Sequence, residues 1–320
     1  MKVIASTVGM EREDWLLLRK KGIGGSDAGA ICGLNPYRSA IDVWHDKRAE
    51  EYPEEKNTEA IRVGHDLEEY VAQRFCEATK KKVRRRNAVM QSEEWPWMIA
   101  NVDRMVVGEN ALLECKTANA YGAARWMNEQ CPASYEIQCL HYMAVTGAEK
   151  VYLACLIMGI DFVIREIPRD EEAIEALVEL ERRFWQDYVL PGEMPPPSGT
   201  DADGEAIRAL YPNSTDGETI ILDGQRKAIA RIDEIDALME DLQREKDAYK
   251  QIMMSAMQNA ETAYIGERRI TWKTQKGRTT LDTKKLKADM PEIYEKYTKI
   301  GKPVRVFRIW DVKEAKGEVR

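Results

Sequence analysis

Glu114 and Lys116 stand two positions apart in the run "ALLECKTANA", residues 111–120, and a strand through it would place both side chains on one face. A carboxylate and an ammonium held side by side on a half-buried strand form either an ion pair or part of a reaction centre. Asp103 lies on the apolar run before the intervening "GEN" and can face Glu114 if the two runs pair as antiparallel strands. Two converging carboxylates make a hard-oxygen site suited to Mg²⁺ or Mn²⁺. An adjacent ammonium, its pKa lowered by a divalent cation, could orient or deprotonate an attacking water, the chemistry of phosphodiester hydrolysis. Taken alone, the spacing is met more often by a structural Glu–Lys pair.

Three neighbourhoods add to it. Glu68 and Glu69 sit in the helical run "VGHDLEEYVAQRF", with Glu68 on the side of Leu67 and Val71. A carboxylate beside an apolar stripe is costly unless paired or bound to metal, although a partly exposed helix glutamate fits as well. Gln138, near the apolar face with Tyr135 and Tyr142, could bind a phosphate or the attacking water; a core-edge hydrogen bond is its plainer use. In "WLLLRKKGIGGSDAGAICGLNPY", Gly24 and Gly25 permit close backbone approach, and Ser26 offers a hydroxyl as the N-cap of a helix. Arg19 supplies a bidentate fork, so the stretch could cradle a terminal phosphate. The pattern GxxxxGK[ST] is missing from it, which excludes a nucleotide-binding P-loop there.

The elements that must position these residues follow from periodicity. A helix is expected from Ala60, with Leu67, Val71 and Phe75 on one face. Two antiparallel strands follow, "WMIANVDRMVV" and "ALLECK", then a helix "SYEIQCLHYMAVTG" stopped by Gly147. Strands "KVYLACLIMG" and "DFVIREIP" and a helix "DEEAIEALVELERRFWQDYV" complete the unit. The fold class is α/β (α+β), a central mixed sheet flanked by helices, expected over residues 1–195. The Pro- and Gly-rich stretch that begins near Leu190 marks a linker, 196–222. Residues 223–320 then form a long helical arm and a small α/β extension. In the arm a 3-4 spacing runs through Ala228, Ile232, Ile235, Met239, Leu242, Lys246, Tyr249, Met253 and Ala256, as in a helical arm or part of a coiled coil. A hairpin "TAYIGERRITWKTQ" and a short helix around "PEIYEKY" follow.

Composition sets bounds. The 320 residues, 44% of them hydrophobic, can bury one large core or two modest ones. A net charge of −7 argues weakly against nucleic acid, but the basic runs Lys80–Arg86 and Glu267–Arg278 can override it locally, if they are more than solvated faces. No run approaches the roughly 20 apolar residues of a membrane span, and the N-terminus lacks a signal-peptide core, so a cytoplasmic location is expected. The six cysteines are scattered without CxxC spacing and read as reduced core thiols, and the three histidines lack metal-ligand spacing.

Five motifs, "WLLLRKKGIGGSDAGAICGLNPY", "GHDLEEYV", "NVDRMV", "LLECKT" and "YEIQCLHYMAVTG", occur in this order over about residues 12–190. Together they resemble the YqaJ-type viral recombinase family, relatives of lambda exonuclease within the PD-(D/E)XK nuclease superfamily. The resemblance implies a restriction-endonuclease-like core and a two-metal Mg²⁺ site at which Mn²⁺ can substitute. It implies that Asp103, Glu114 and the Cys115 backbone carbonyl bind metal, that Glu68 supports the metal site, and that Lys116 is the catalytic lysine. Arg19 and Ser26 then match residues that hold the 5′-phosphate of a DNA end, Gln138 an active-site glutamine beside that phosphate, and Trp15 a nearby aromatic. Asn101 takes the DNA-contact position where lambda exonuclease has serine, and Val102 stands where the superfamily has its namesake proline.

The implied activity is a 5′-to-3′ exonuclease acting on linear double-stranded DNA ends. It would release 5′-phosphomononucleotides and leave 3′ single-stranded tails for phage-type recombination by strand annealing. The implied setting is a phage- or prophage-encoded trimeric ring in a bacterial host, working with a single-strand annealing protein. The tail from Trp272 also resembles the extensions of longer phage members. Two alternatives remain: an endonuclease or Cas4-like iron–sulfur nuclease of the same superfamily, which the scattered cysteines disfavour, and a non-catalytic DNA-end or partner-binding module, which the intact Asp103, Glu114 and Lys116 set disfavours.

Overall fold

A computed structural model describes residues 1–49, 59–126, 130–301 and 303–310. They divide into two units, Met1–Pro212 and Asn213–Arg320. The first unit opens with β1 (Lys2–Ser6), α1 (Arg12–Lys20), α2 (Gly25–Ile31), α3 (Ala40–Arg48) and α4 (Glu59–Thr79). Strands β2 (Val83–Arg84), β3 (Ala88–Gln91), β4 (Ile99–Ala100), β5 (Arg104–Val106) and β6 (Ala111–Ala118) lead to α5 (Ala133–Thr146). Strands β7 (Lys150–Ile157) and β8 (Asp161–Pro168) and helices α6 (Glu171–Arg183) and α7 (Asp201–Leu210) complete the unit.

The main sheet has the order β2-β5-β6-β7-β8. Every neighbouring pair is antiparallel except β6 and β7, which run parallel because α5 carries the chain back between them. The expected mixed sheet between helices is therefore present. Strand alternation decides what each face packs on. Leu112 joins Val151, Leu153 and the residues of α5 and α6 on one face. Ala111 and Leu113 join Val71, Ala72 and Phe75 of α4 on the other. Glu114 and Lys116, in phase with Leu112, thus project to the α5 face, while Cys115 faces α4. A second sheet, β1-β3-β4, flanks the first.

Three expectations are corrected. The run "WMIANVDRMVV" is not one strand: Ile99 and Ala100 pair with β3, whereas Arg104 and Met105 pair with β6. Residues 101–103 carry the chain from one sheet to the other, and Asp103 sits at that crossing. Ser26 is not an N-cap. Helix α2 begins at Gly25 with Gly24 as its extended N-cap, and Asp27 accepts the Gly24 N–H at 3.0 Å. The segment expected as a linker contains α7, whose Ala202 and Ala206 are buried and which packs on α3, so the first unit runs to Pro212. Thr200 caps this helix, its hydroxyl accepting from the Asp203 N–H at 3.2 Å.

The second unit has α8 (Arg226–Met257), the hairpin β9 (Thr262–Ile265) and β10 (Arg268–Thr271), α9 (Thr283–Asp289) and α10 (Pro291–Tyr297). Among the described residues of this unit, Met257 alone is buried.

Candidate active site

The site forms where β5, β6, α4 and α5 meet. The β5–β6 register pairs Arg104 with Leu113, so Asp103, one residue before β5, continues it opposite Glu114. Its carboxylate replaces a rung of the ladder: Asp103 Oδ2 accepts the Cys115 N–H at 2.9 Å. In a strand, the N–H and C=O of one residue leave the same edge, so the Cys115 carbonyl also faces the Asp103 side. Burial, with the charges of Asp103 and Glu114 adding to it, pushes the Cys115 thiol far up. The side chain is an inert thiol, and its backbone is what the site can use.

Glu114 is buried, and its Oε1 accepts from Lys116 Nζ at 2.6 Å and from Gln138 Nε2 at 2.7 Å. The other oxygen, Oε2, is buried and has no hydrogen-bond partner among the described residues. Burial and the neighbouring Glu114 together push the Asp103 carboxyl well above the usual carboxylate range, against the pull of Lys116. Two carboxylates competing for charge, one with an orphaned oxygen, fit a divalent cation as shared counter-charge.

Burial alone would push the Lys116 ammonium down, but Glu114 and Asp103 outweigh it and hold Lys116 above the ordinary lysine range. The lowering expected from the sequence therefore depends on a cation offsetting those carboxylates. Lys116 also lies over the Tyr135 ring, 4.8 Å from its centroid.

Glu68 reaches the site through an intermediary. It lies one turn before Ala72 on the buried side of α4, and its Oε1 accepts from Arg104 Nη1 at 2.5 Å. The same Arg104 nitrogen donates to the Asp103 carbonyl at 2.8 Å, and Nη2 reaches Glu69 Oε2 at 3.0 Å. Among the described residues no three His, Cys, Asp or Glu side chains converge as a metal-holding group. The arrangement thus offers two carboxylates and a backbone carbonyl, with Glu68 tied to Arg104.

The second cluster gathers on α1 and α2. The Arg19 guanidinium lies over Trp15, 4.9 Å from the ring centroid, and donates to Ser26 Oγ at 2.9 Å and Asp27 Oδ1 at 3.2 Å. Asp27, fully buried, was not singled out by sequence. Its carboxylate also accepts from Arg38 at 2.6 Å, Lys47 at 2.6 Å and the Gly24 N–H. Burial works against this charge, yet Lys47, Arg38 and Arg19 hold the carboxyl well below its usual range. The acidic third residue after the Gly24 cap was the available signal. Arg19 and Arg38 keep about a quarter of their side-chain surface open, 26% and 25%.

Tyr142 joins the clusters. Gln138 Nε2, bonded to Glu114, also donates to the Tyr142 hydroxyl at 2.9 Å. A Cβ on Gly25 would lie 2.5 Å from the Tyr142 ring, so only glycine lets α2 approach α5 this closely. Of the residues expected from sequence, Asp103, Glu114, Cys115, Lys116 and Gln138 form one network, Glu68 joins through Arg104, and Trp15, Arg19 and Ser26 form the second cluster. Asn101 is exposed between β4 and β5. A further buried pair, His141 Nδ1 with Glu181 Oε1 at 2.8 Å, ties α5 to α6.

Residues 14–149 match the family model of the YqaJ-like viral recombinase domain. The chain is 39% identical over 301 residues to the uncharacterized protein YqaJ of Bacillus subtilis (strain 168), covering 93% of this chain and 94% of that protein. Among solved structures, it is similar to an alkaline exonuclease from Laribacter hongkongensis, with TM-score 0.48, 16% identity, and coverage of 55% of this chain and 91% of the other. A phage related exonuclease from Haemophilus somnus 129PT gives TM-score 0.42 and 12% identity over 55% of this chain and 98% of the other. Among the described residues, no helix is long and apolar enough to cross a membrane.

Proposed function

The chain belongs to the YqaJ-like viral recombinase family, and from that premise we propose that it is a Mg²⁺-dependent 5′-to-3′ exonuclease of linear double-stranded DNA. It releases 5′-mononucleotides and leaves 3′ tails for recombination by strand annealing. The observation that carries the reading is the buried, unpartnered Oε2 of Glu114 next to an Asp103 carboxyl that its surroundings push toward neutrality. Asp103, Glu114 and the Cys115 carbonyl would hold Mg²⁺, with Mn²⁺ as a substitute and room in the reading for a second ion. When bound, the cation supplies Lewis-acid stabilisation of the phosphoryl charge that develops in the transition state.

The chain's own residues do the rest. Lys116, fixed by Glu114 and Tyr135, stands ready to orient the attacking water and to hold or pass its proton. Gln138 clamps Glu114 from α5, fixing the rotamer that leaves Oε2 toward the site. Glu68 and Arg104 brace the backbone at Asp103. Arg19, stacked on Trp15 and backed by Asp27, would grip a terminal 5′-phosphate together with Ser26, and Asn101 would touch the DNA beside them. A grip on that end sets the polarity of digestion.

Partners on this reading are DNA ends, further copies of the chain in a ring, and a single-strand annealing protein, inside a bacterial host cell. The test is digestion of linear duplexes labelled at either end, with and without a 5′-phosphate, in Mg²⁺. Release of 5′-labelled mononucleotides, faster from phosphorylated ends and absent in chelator, is expected. Resection of the strand from its 3′ end, or equal cutting of circular DNA, overturns the reading.

A further inference from the structure

Helix α8, 32 residues long, is the largest element of its unit and has little to pack on. At about 1.5 Å per residue it extends on the order of 48 Å. Along it, Ala228, Ile232, Ile235, Met239, Leu242, Lys246, Tyr249, Met253 and Ala256 recur at alternating intervals of four and three. That is an a/d seam sustained over about four heptads, the length at which a coiled coil becomes the natural reading. The seam is open: Ile235 is 41% exposed, Leu242 65% and Tyr249 60%. A unit whose described residues bury only Met257 leaves this stripe uncovered by those residues.

The residues beside the seam identify what covers it. With Ile232 at an a position, the g positions are Arg231, Leu238, Glu245 and Ile252, and the e positions after it are Asp236, Gln243 and Lys250. In a parallel, in-register pair, each g residue meets the e residue five positions on in the other helix. Arg231 then meets Asp236 of the second copy, and Glu245 meets Lys250 of the second copy, both opposite in charge. An antiparallel pair brings g to g and e to e, giving Arg231 with Ile252, Leu238 with Glu245 and Asp236 with Gln243, none of them complementary. Among the described residues, Arg231 and Lys250 pair with the exposed Glu234 and Asp247 of their own helix, pairs that cost little to exchange. Lys246 at an a position adds register, since a lone cation is tolerated where its stem lies along the seam and its ammonium reaches water, as a two-helix seam allows.

We propose that α8 pairs with α8 of a second copy of this chain as a parallel, in-register, two-stranded coiled coil. The assignment is independent of the nuclease chemistry, because no residue of the candidate active site lies on α8, and a two-stranded seam joins copies in pairs, so it links one ring to another and does not close a ring.

The test uses the full-length chain with Tyr249→Cys under mild oxidation, the unaltered chain controlling for its six native cysteines. In-register pairing predicts a two-chain product linked at position 249, located by peptide mass spectrometry, and its loss when Leu242→Asp is added. Glu245→Lys should lower the yield of that link, and Glu245→Lys with Lys250→Glu should restore it. A missing link at 249 overturns the proposal. So does a link that survives Leu242→Asp, or one formed only when Tyr249→Cys and Ile232→Cys chains are mixed, which is the antiparallel result.

Discussion

Gln138 and Glu114 are joined by a 2.7 Å hydrogen bond that crosses from α5 to β6 and lands on the oxygen already taken by Lys116. One carboxylate oxygen is thus doubly satisfied while the other is buried with no partner among the described residues. The bond is the local reason the site has a preferred direction.

Removing that bond should weaken the site without dismantling it. Gln138→Leu is expected to lower Mg²⁺ affinity or turnover by about 10- to 100-fold, the usual cost of losing a group that orients a ligand. Mg²⁺ titration of the nuclease rate measures it. An unchanged titration midpoint and rate would remove Gln138 from the site.

Asp103→Asn should separate activity from stability. Turnover is expected to fall by about 10²-fold or more. The melting temperature in chelator should stay level or rise, because the substitution removes a buried charge that Glu114 and the surroundings disfavour. Mg²⁺ should raise the melting temperature of the unaltered chain, about 2.7 kcal/mol of stabilisation at 100 times its dissociation constant. The Asn variant should lose that gain.

Gly25→Ala places a methyl 2.5 Å from the Tyr142 ring. Overpacking of this kind costs about 1–3 kcal/mol, measurable as a lower urea midpoint with unchanged slope. Adding Tyr142→Leu should recover part of the loss. If Gly25→Ala is neutral, α2 and α5 are not held as close as the contact implies.

Asp27 governs acid stability. Its folded-state carboxyl is held below the unfolded value of about 3.9. Its contribution is therefore present above that pH and lost as pH falls through the folded-state value, so the window lies below about pH 4. Asp27→Asn leaves Lys47 and two arginines without their buried counter-charge and should cost about 3–5 kcal/mol at neutral pH. The variant's stability should then vary less with pH at the acid end, as equilibrium unfolding at pH 3 and pH 7 would reveal.

Apolar runs bounded by turn signals were enough to find α4, α5, α8, the β7–β8 pair and the β9–β10 hairpin, although α5 and β7 are buried on nearly every side. They also brought Asp103 opposite Glu114, since a short turn between two apolar runs fixes the register. They could not show that residues 97–107 divide between two sheets, because apolar alternation continues through the division and only the pairing partner changes. Asp27 was hidden for a related reason. Its cations come from separate places, Arg19 from α1, Arg38 from the loop before α3 and Lys47 from α3 itself, and no local spacing records that meeting. Helix α7 was masked by the Pro, Gly and Asp around it, and its small buried stripe, Ala202 and Ala206, makes a weak periodic signal.

The Cys115 amide bonds to the Asp103 carboxylate and not to a carbonyl of a neighbouring strand. Its proton therefore senses the charge on that carboxylate directly. In a nitrogen-15 spectrum this one backbone resonance becomes an internal indicator, shifting with whatever the two carboxylates hold and slowing its exchange as they are clamped. The centre carries its own reporter, readable without substrate or turnover.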